Sequence, residues 1–163
     1  MVQDNSTPRA YLHQGGKEGQ ASNLPLLAIT GEEMIWQGRD REGIRIIIDE
    51  EAWQRHVLKH PEIKPFLDAV AQTMQNPEKI YPNTRPDEPQ RYFRRLYRSG
   101  LLSGDFATHY VKVAVKYVMQ SNGEVIGFYS SSWFQREISE PYPELERIHP
   151  DVNTGTRLRP GSR

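Results

Sequence analysis

The chain has 163 residues, enough for one domain, with 36% hydrophobic residues and a formal net charge of zero at pH 7. Zero net charge supplies no global field toward nucleic acid or membrane, so any such attraction must come from a local cluster. Cysteine is absent, which excludes disulfides and every Cys-ligated zinc or iron–sulfur site.

Residues 1–23 are rich in Gly, Gln, Ser and Asn and lack periodicity. They read as a disordered N-terminal tail, because such a composition cannot bury enough surface to offset chain entropy. The stretch has no apolar core of signal-peptide length. No run approaches the roughly 20 apolar residues of a membrane span. The expectation is a cytoplasmic protein with no membrane contact, built as a single α+β domain over residues 24–136.

Within that domain, "EMIWQG" and "GIRIIID" are short β-like runs separated by Arg39–Glu42, a small hairpin or a strand with an extended lead-in. Asp49 is a good helix N-cap, and Glu50 and Glu51 suit the positive end of a helix dipole. This first helix carries Trp53 and Val57 and should stop near Lys59, since the residue before Pro61 is biased away from helix. Pro61 or Pro65 can open a second helix, with Ile63, Phe66, Leu67, Val70 and Met74 at helical spacing and Asn76–Pro77 as its end. Strand candidates follow at "KIYP", "QRYFRRLYR", "HYVKVAVKYV" and "EVIGFYSSSW". Asn122–Gly123 is a hairpin turn between the last two, because both residues tolerate positive φ. The expected fold is therefore α+β, with N-terminal helices packed on a four-stranded antiparallel β-meander. Residues 137–163, with four prolines, read as a flexible C-terminal tail.

From Gln90 to Lys116 the chain carries Arg91, Arg94, Arg95, Arg98, Lys112 and Lys116 against one acid, Asp105, a net +5 inside a neutral protein. Lys112 and Lys116 share a sheet face, since their spacing is even. Tyr92, Tyr97 and Tyr110 alternate with the cations. Positive groups for phosphates and rings for stacking suit single-stranded RNA. The nucleic-acid-binding set is thus Arg91, Arg94, Arg98, Tyr92, Tyr97 and Tyr110. The other reading is a solvated face whose long basic side chains lie over their neighbours. The acidic residues Glu137, Glu140, Glu144, Glu146 and Asp151 either keep the tail soluble or fold it back over the basic face.

In "WQRHVLKHP", residues 53–61, His56 and His60 lie four apart and so on one helical face. A zinc site would need a third ligand, and Val57 stands where the zincin motif has its glutamate, so neither metal nor other cofactor is expected. Acid–base chemistry is the second reading, because imidazole exchanges protons near neutral pH. RNA can be cut without metal if a base takes the 2′-hydroxyl proton, an acid protonates the leaving 5′-oxygen and cations stabilise the phosphate. The catalytic candidates are His56, His60, Lys112, Lys116, Arg95, Tyr129 and Ser131. The structural alternative is a half-buried His56 beside Trp53 and a His60 that ends the helix.

The pieces "WQRHVLKHPEI", "NPEKIYP", "RYFRRLYR", "HYVKVAVKYV" and "GEVIGFYSSSW", in this order over about residues 44–133, resemble the phage barnase–EndoU–colicin–RelE-like nuclease family. The resemblance implies a barnase/RelE-like sheet with packed helices and a metal-independent ribonuclease, of the kind found among toxins and phage-associated effectors. His56 would be its helical polar residue, Lys112 or Lys116 the sheet cation, and Ser130 or Ser131 the last-strand hydroxyl. Gly127–Phe128–Tyr129 departs from the pattern, since a small hydroxyl residue is expected near the middle of that strand. The expected function is RNA endonuclease by acid–base transesterification, with RNA as partner and a protein inhibitor or partner as a further candidate. The alternative is a catalytically inactive RNA- or protein-binding module of the same fold.

Overall fold

The computed structural model describes residues 33–83 and 91–149. The expected tail at 1–23, residues 24–32 and 150–163, and the side chains of Arg91 and Tyr92 lie outside the described residues. The chain begins with a hairpin of β1 (Met34–Arg39) and β2 (Arg45–Asp49). Its turn is organised by Asp40, whose carboxylate accepts from the backbone N–H groups of Glu42 and Ile44, both at 2.9 Å. Gly43 takes the positive φ the turn requires. Helix α1 (Glu50–Lys59) starts directly after β2, capped by the Asp49 carboxylate on the Ala52 N–H at 2.7 Å. Trp53, His56 and Val57 form its buried stripe.

Pro61–Phe66 forms a 3₁₀ turn, and the second α-helix, α2, covers only Leu67–Gln75. The expected single helix is shortened because Pro65 has no N–H to donate and its ring crowds the preceding turn. Ala69, Val70, Ala71 and Met74 of α2 are buried in the core. The remaining strands are β3 (Lys79–Asn83), β4 (Arg91–Arg98), β5 (Tyr110–Met119) and β6 (Val125–Gln135).

All six strands form one sheet, ordered β1-β2-β6-β5-β4-β3. The architecture is α+β, and the expected four strands are two too few. Ile46, Ile47 and Ile48 are fully buried on both faces of β2, which an edge hairpin would not allow. The strand instead pairs in parallel with β6, Arg45 opposite Ile126 and Ile47 opposite Phe128, while every other pairing is antiparallel. One face of β5 presents Val111, Val113, Val115 and Tyr117 to the core that Val70 and Met74 enter. Gly127 admits the β2 side chains: a Cβ there would stand 2.8 Å from Ile46 Cγ2.

The other face carries, as cross-strand neighbours, Phe93 with Lys116, Arg95 with Ala114 and Tyr97 with Lys112. On β6 these meet Phe128, Ser131 and Trp133. The register shifts between Ala114 and Val115, where β6 has one extra residue, Ser130. This bulge inverts the parity of β6. Tyr129 and Ser132 both face the core, and their hydroxyls are bonded at 2.9 Å.

Residues 137–149, expected to be a flexible tail, are packed against the domain. Glu144 pairs with Lys79 at 3.0 Å, and Leu145 N–H donates to Ile80 C=O on edge strand β3. Ile148 is fully buried in the core, and its N–H donates to Glu42. Buried His149 lies 2.6 Å from the Glu42 carboxylate. No helix among the described residues is long and apolar enough to cross a membrane.

Candidate functional site

Strand β2 pairs with β6 only as far as Phe128. Beyond it α1 takes the place of a strand, and the His56 side chain serves the exposed backbone. Its Nε2 lies 2.6 Å from Ser132 C=O, a contact that requires the proton on Nε2, and 3.3 Å from the Ser132 N–H. The ring stacks on His60 at 4.8 Å and stands edge-on to Tyr129 and Trp133 at 6.1 and 6.0 Å. Burial, only partly offset by the Ser132 bond, lowers the pKa of His56 below its ordinary value, and neighbouring His60 and Lys59 push the same way. The shift favours the neutral imidazole. Among the described residues no protein group bonds its Nδ1.

His56 lines a hollow of about 350 Å³ between α1 and β6, together with Arg55, Lys59, Tyr129, Ser130 and Ser131. Arg55 and Lys59 bring two cations to it, although Arg55 also pairs with Glu51 at 3.2 Å. His60 lies beside it, half-exposed, 3.4 Å from Glu62. A second hollow, of about 490 Å³, opens on the other sheet face, which no α-helix among the described residues covers, between Phe93, Arg95, Lys112, Ser130, Ser131 and Trp133. The bulge residue Ser130 and its neighbour Ser131 wall both hollows. The Trp133 ring is likewise shared: Lys112 Nζ lies 5.6 Å from its centroid and His56 meets its edge.

The cations of the second hollow are engaged by Glu140, whose side chain is 1% exposed. One carboxylate oxygen accepts from Lys112 at 3.0 Å and from the Tyr97 hydroxyl, and the other accepts from Arg95 at 2.5 Å. Burial opposes the charge on Glu140, but the bonds from Tyr97, Lys112 and Arg95 together outweigh it and hold the carboxyl below its usual value. The carboxylate is therefore ionised, and with three donors on it, it is a poor proton acceptor.

The predicted residues divide accordingly. His56, Ser131, Arg95 and Lys112 line one or other of two adjoining hollows, and His60 stacks against the first. Lys116 lies elsewhere on the open face, over the Phe93 ring at 5.6 Å. Tyr129 lines the first hollow but is buried opposite Val115, its hydroxyl bonded to Ser132 and its phenol pushed upward by burial, so it is poorly suited to act as acid or base. Tyr97 is fully buried and spent on Glu140, which removes it as a stacking platform. Arg94 and Arg98 pair with Val115 and Val111 and so fall on the face opposite Arg95; Arg98 donates to Asn76 C=O. Tyr110, half-buried, pairs across with Gln135 on the open face.

Sequence reasoning passed over Arg55 and Lys59. Their four-residue spacing repeats that of His56 and His60 one position earlier, so the signal was present in the same nine residues. Ser130 was named only beside Ser131 as the last-strand hydroxyl, and Glu140 only as one of five acids that could fold back over the basic face; Trp133 left no signal, and the placing of all three depends on the bulge or on the path of the chain after β6. Among the described residues no group of three His, Asp or Glu side chains is arranged to hold a metal ion. The chain matches no family model, and searches of curated proteins and of solved structures return no match.

Proposed function

We propose that this domain is a metal-independent RNA endonuclease acting in the hollow between α1 and β6. The observation that carries the reading is an imidazole held at its Nε2, at a hollow walled by two cations and two hydroxyls. His56 Nε2–H is fixed to the Ser132 carbonyl, which leaves Nδ1 as the proton acceptor. That nitrogen takes the 2′-hydroxyl proton while the 2′-oxygen attacks the adjacent phosphorus. Lys59 and Arg55 stabilise the added charge on the phosphate oxygens. The leaving 5′-oxygen takes a proton from His60, whose ring stacks on His56. The products are a 2′,3′-cyclic phosphate and a 5′-hydroxyl.

The test is incubation of mixed single-stranded RNA with the protein in EDTA, with end-group analysis. Cyclic phosphate ends should form with wild type, and His56→Gln and Lys59→Gln should each slow their formation by about 10²-fold or more. Equal cleavage by all three proteins would remove these residues from the mechanism.

A second reading is an RNA-binding module without chemistry. The two adjoining hollows favour it, because cations and a ring along one groove can hold RNA whether or not a proton is transferred. RNA that stays intact at concentrations where wild type measurably binds it would select this reading.

A further inference from the structure

The Glu140 carboxylate, almost wholly buried, collects an arginine, a lysine and a tyrosine hydroxyl. Those three donors are the set that would clasp one phosphate group. Arg95, Tyr97 and Lys112 sit on neighbouring strands and converge from two sides, while Glu140 reaches them from outside the sheet, five residues after β6 ends. Arg95 and Lys112 also line a hollow that extends to Ser130, Ser131 and Trp133, and its serines also wall the hollow that holds His56.

We propose that the Arg95–Tyr97–Lys112 cluster is a phosphate-binding subsite of the open sheet face, and that Glu140 occupies it as an internal substitute for that phosphate. The anion it takes is a phosphoryl or phosphodiester group, free or within single-stranded RNA. The Trp133 ring at the hollow's edge is placed to stack on a base joined to that phosphate. The strap that carries Glu140 is fastened on both sides of it. β6 holds one end, and the other is held by the Lys79–Glu144 pair, the Leu145–Ile80 backbone bond and buried Ile148. Binding and release therefore require only the Glu140 side chain and its immediate neighbours to move. The anchored ends keep the carboxylate at high effective concentration beside the cluster, so an incoming phosphate must outcompete it.

This subsite needs no chemistry at His56, so it stands or falls separately from the nuclease reading. The experiment is chemical rescue of Glu140→Gln and Glu140→Ala by inorganic phosphate, read as thermal midpoint against sodium chloride of equal ionic strength. Phosphate should raise the midpoint of both variants well above its effect on wild type, because a ligand that binds only the folded state stabilises it by mass action. The gain should vanish in Arg95→Met/Glu140→Gln, which keeps the strap but removes the guanidinium. With a non-cleavable 2′-O-methyl oligonucleotide, Glu140→Gln should bind about ten-fold tighter than wild type at low salt. Its salt slope should be steeper by about 0.7, the value for one further neutralised phosphate on a single strand. A phosphate response equal in wild type and Glu140→Gln, with both folded, would make Glu140 a structural ion-pair partner only and overturn the proposal. Rescue by phosphate without tighter oligonucleotide binding would confine the subsite to small phosphates and exclude RNA.

Discussion

Removing the Glu140 carboxylate tests how much of the fold's stability rests on one ion-pair cluster. In Glu140→Ala, Lys112, with its side chain 10% exposed, loses its only carboxylate partner among the described residues. Breaking a buried pair from one side costs about 3–5 kcal/mol, because the remaining charge is left uncompensated. Two features bring the expected cost to the lower end of that range. The ammonium keeps its positions 5.4 and 5.6 Å from the Tyr97 and Trp133 rings, and the Tyr97 hydroxyl keeps Gln135 Oε1 at 3.3 Å. Arg95, 29% exposed at its side chain, rehydrates at little cost. The expected loss is about 3 kcal/mol, within the roughly 5–15 kcal/mol stability of a small domain, so the variant remains folded. The assay is urea unfolding of wild type, Glu140→Ala, Lys112→Met and the double variant, with the slope m required to stay constant. The double variant should be more stable than the summed single losses predict by about 1–3 kcal/mol. Additive losses, or a loss below about 1 kcal/mol for Glu140→Ala, would refute the claim that the carboxylate neutralises a buried lysine.

Three further outcomes are expected. Because burial lowers the folded-state pKa of His56 below its ordinary 6.5, the unfolded chain takes up that proton first; stability is complete above 6.5 and falls as pH drops from there through the folded value. Urea midpoints between about pH 7.5 and 5.5 should show this fall, reduced in His56→Gln, and an equal fall in both would assign it to other groups. Gly127→Ala should destabilise by about 1–2 kcal/mol, since its Cβ would meet Ile46, Tyr117 and Val115 side-chain carbons at 2.8, 3.0 and 3.2 Å. That overpacking outweighs the gain of about 0.4–1 kcal/mol from a stiffer unfolded chain, and an unchanged or raised midpoint would contradict the close packing of β2 on β6. Ile148→Ala should cost about 2–5 kcal/mol and expose residues 137–149 to limited proteolysis, whereas a mobile tail would be cut equally in wild type.

Local pattern carried much of this architecture. The Asp49 cap, the Trp53–Val57 stripe, the even spacing of Lys112 with Lys116 and the Asn122–Gly123 turn depend on residues within a few positions of one another. Helical and strand periods express such relations directly. The position of His56 on a buried helical face, and the concentration of cations between Arg91 and Lys116, were legible for the same reason. Three decisions belong to tertiary structure alone. Ile46–Ile48 finds its second partner about 80 residues later, in parallel, and an apolar run records that a strand is buried without recording beside what. One extra residue at Ser130 exchanges the faces of everything after it, so that Ser132 turns inward beside Tyr129 while Ser131 and Trp133 turn outward; alternation cannot register an insertion whose opposite strand is unknown. Glu140 was one acid among several in an acidic segment, and only the course of the chain beyond β6 sets it against Arg95, Tyr97 and Lys112. A charge's partner is chosen by distance in space, and spacing along the chain carries no record of it.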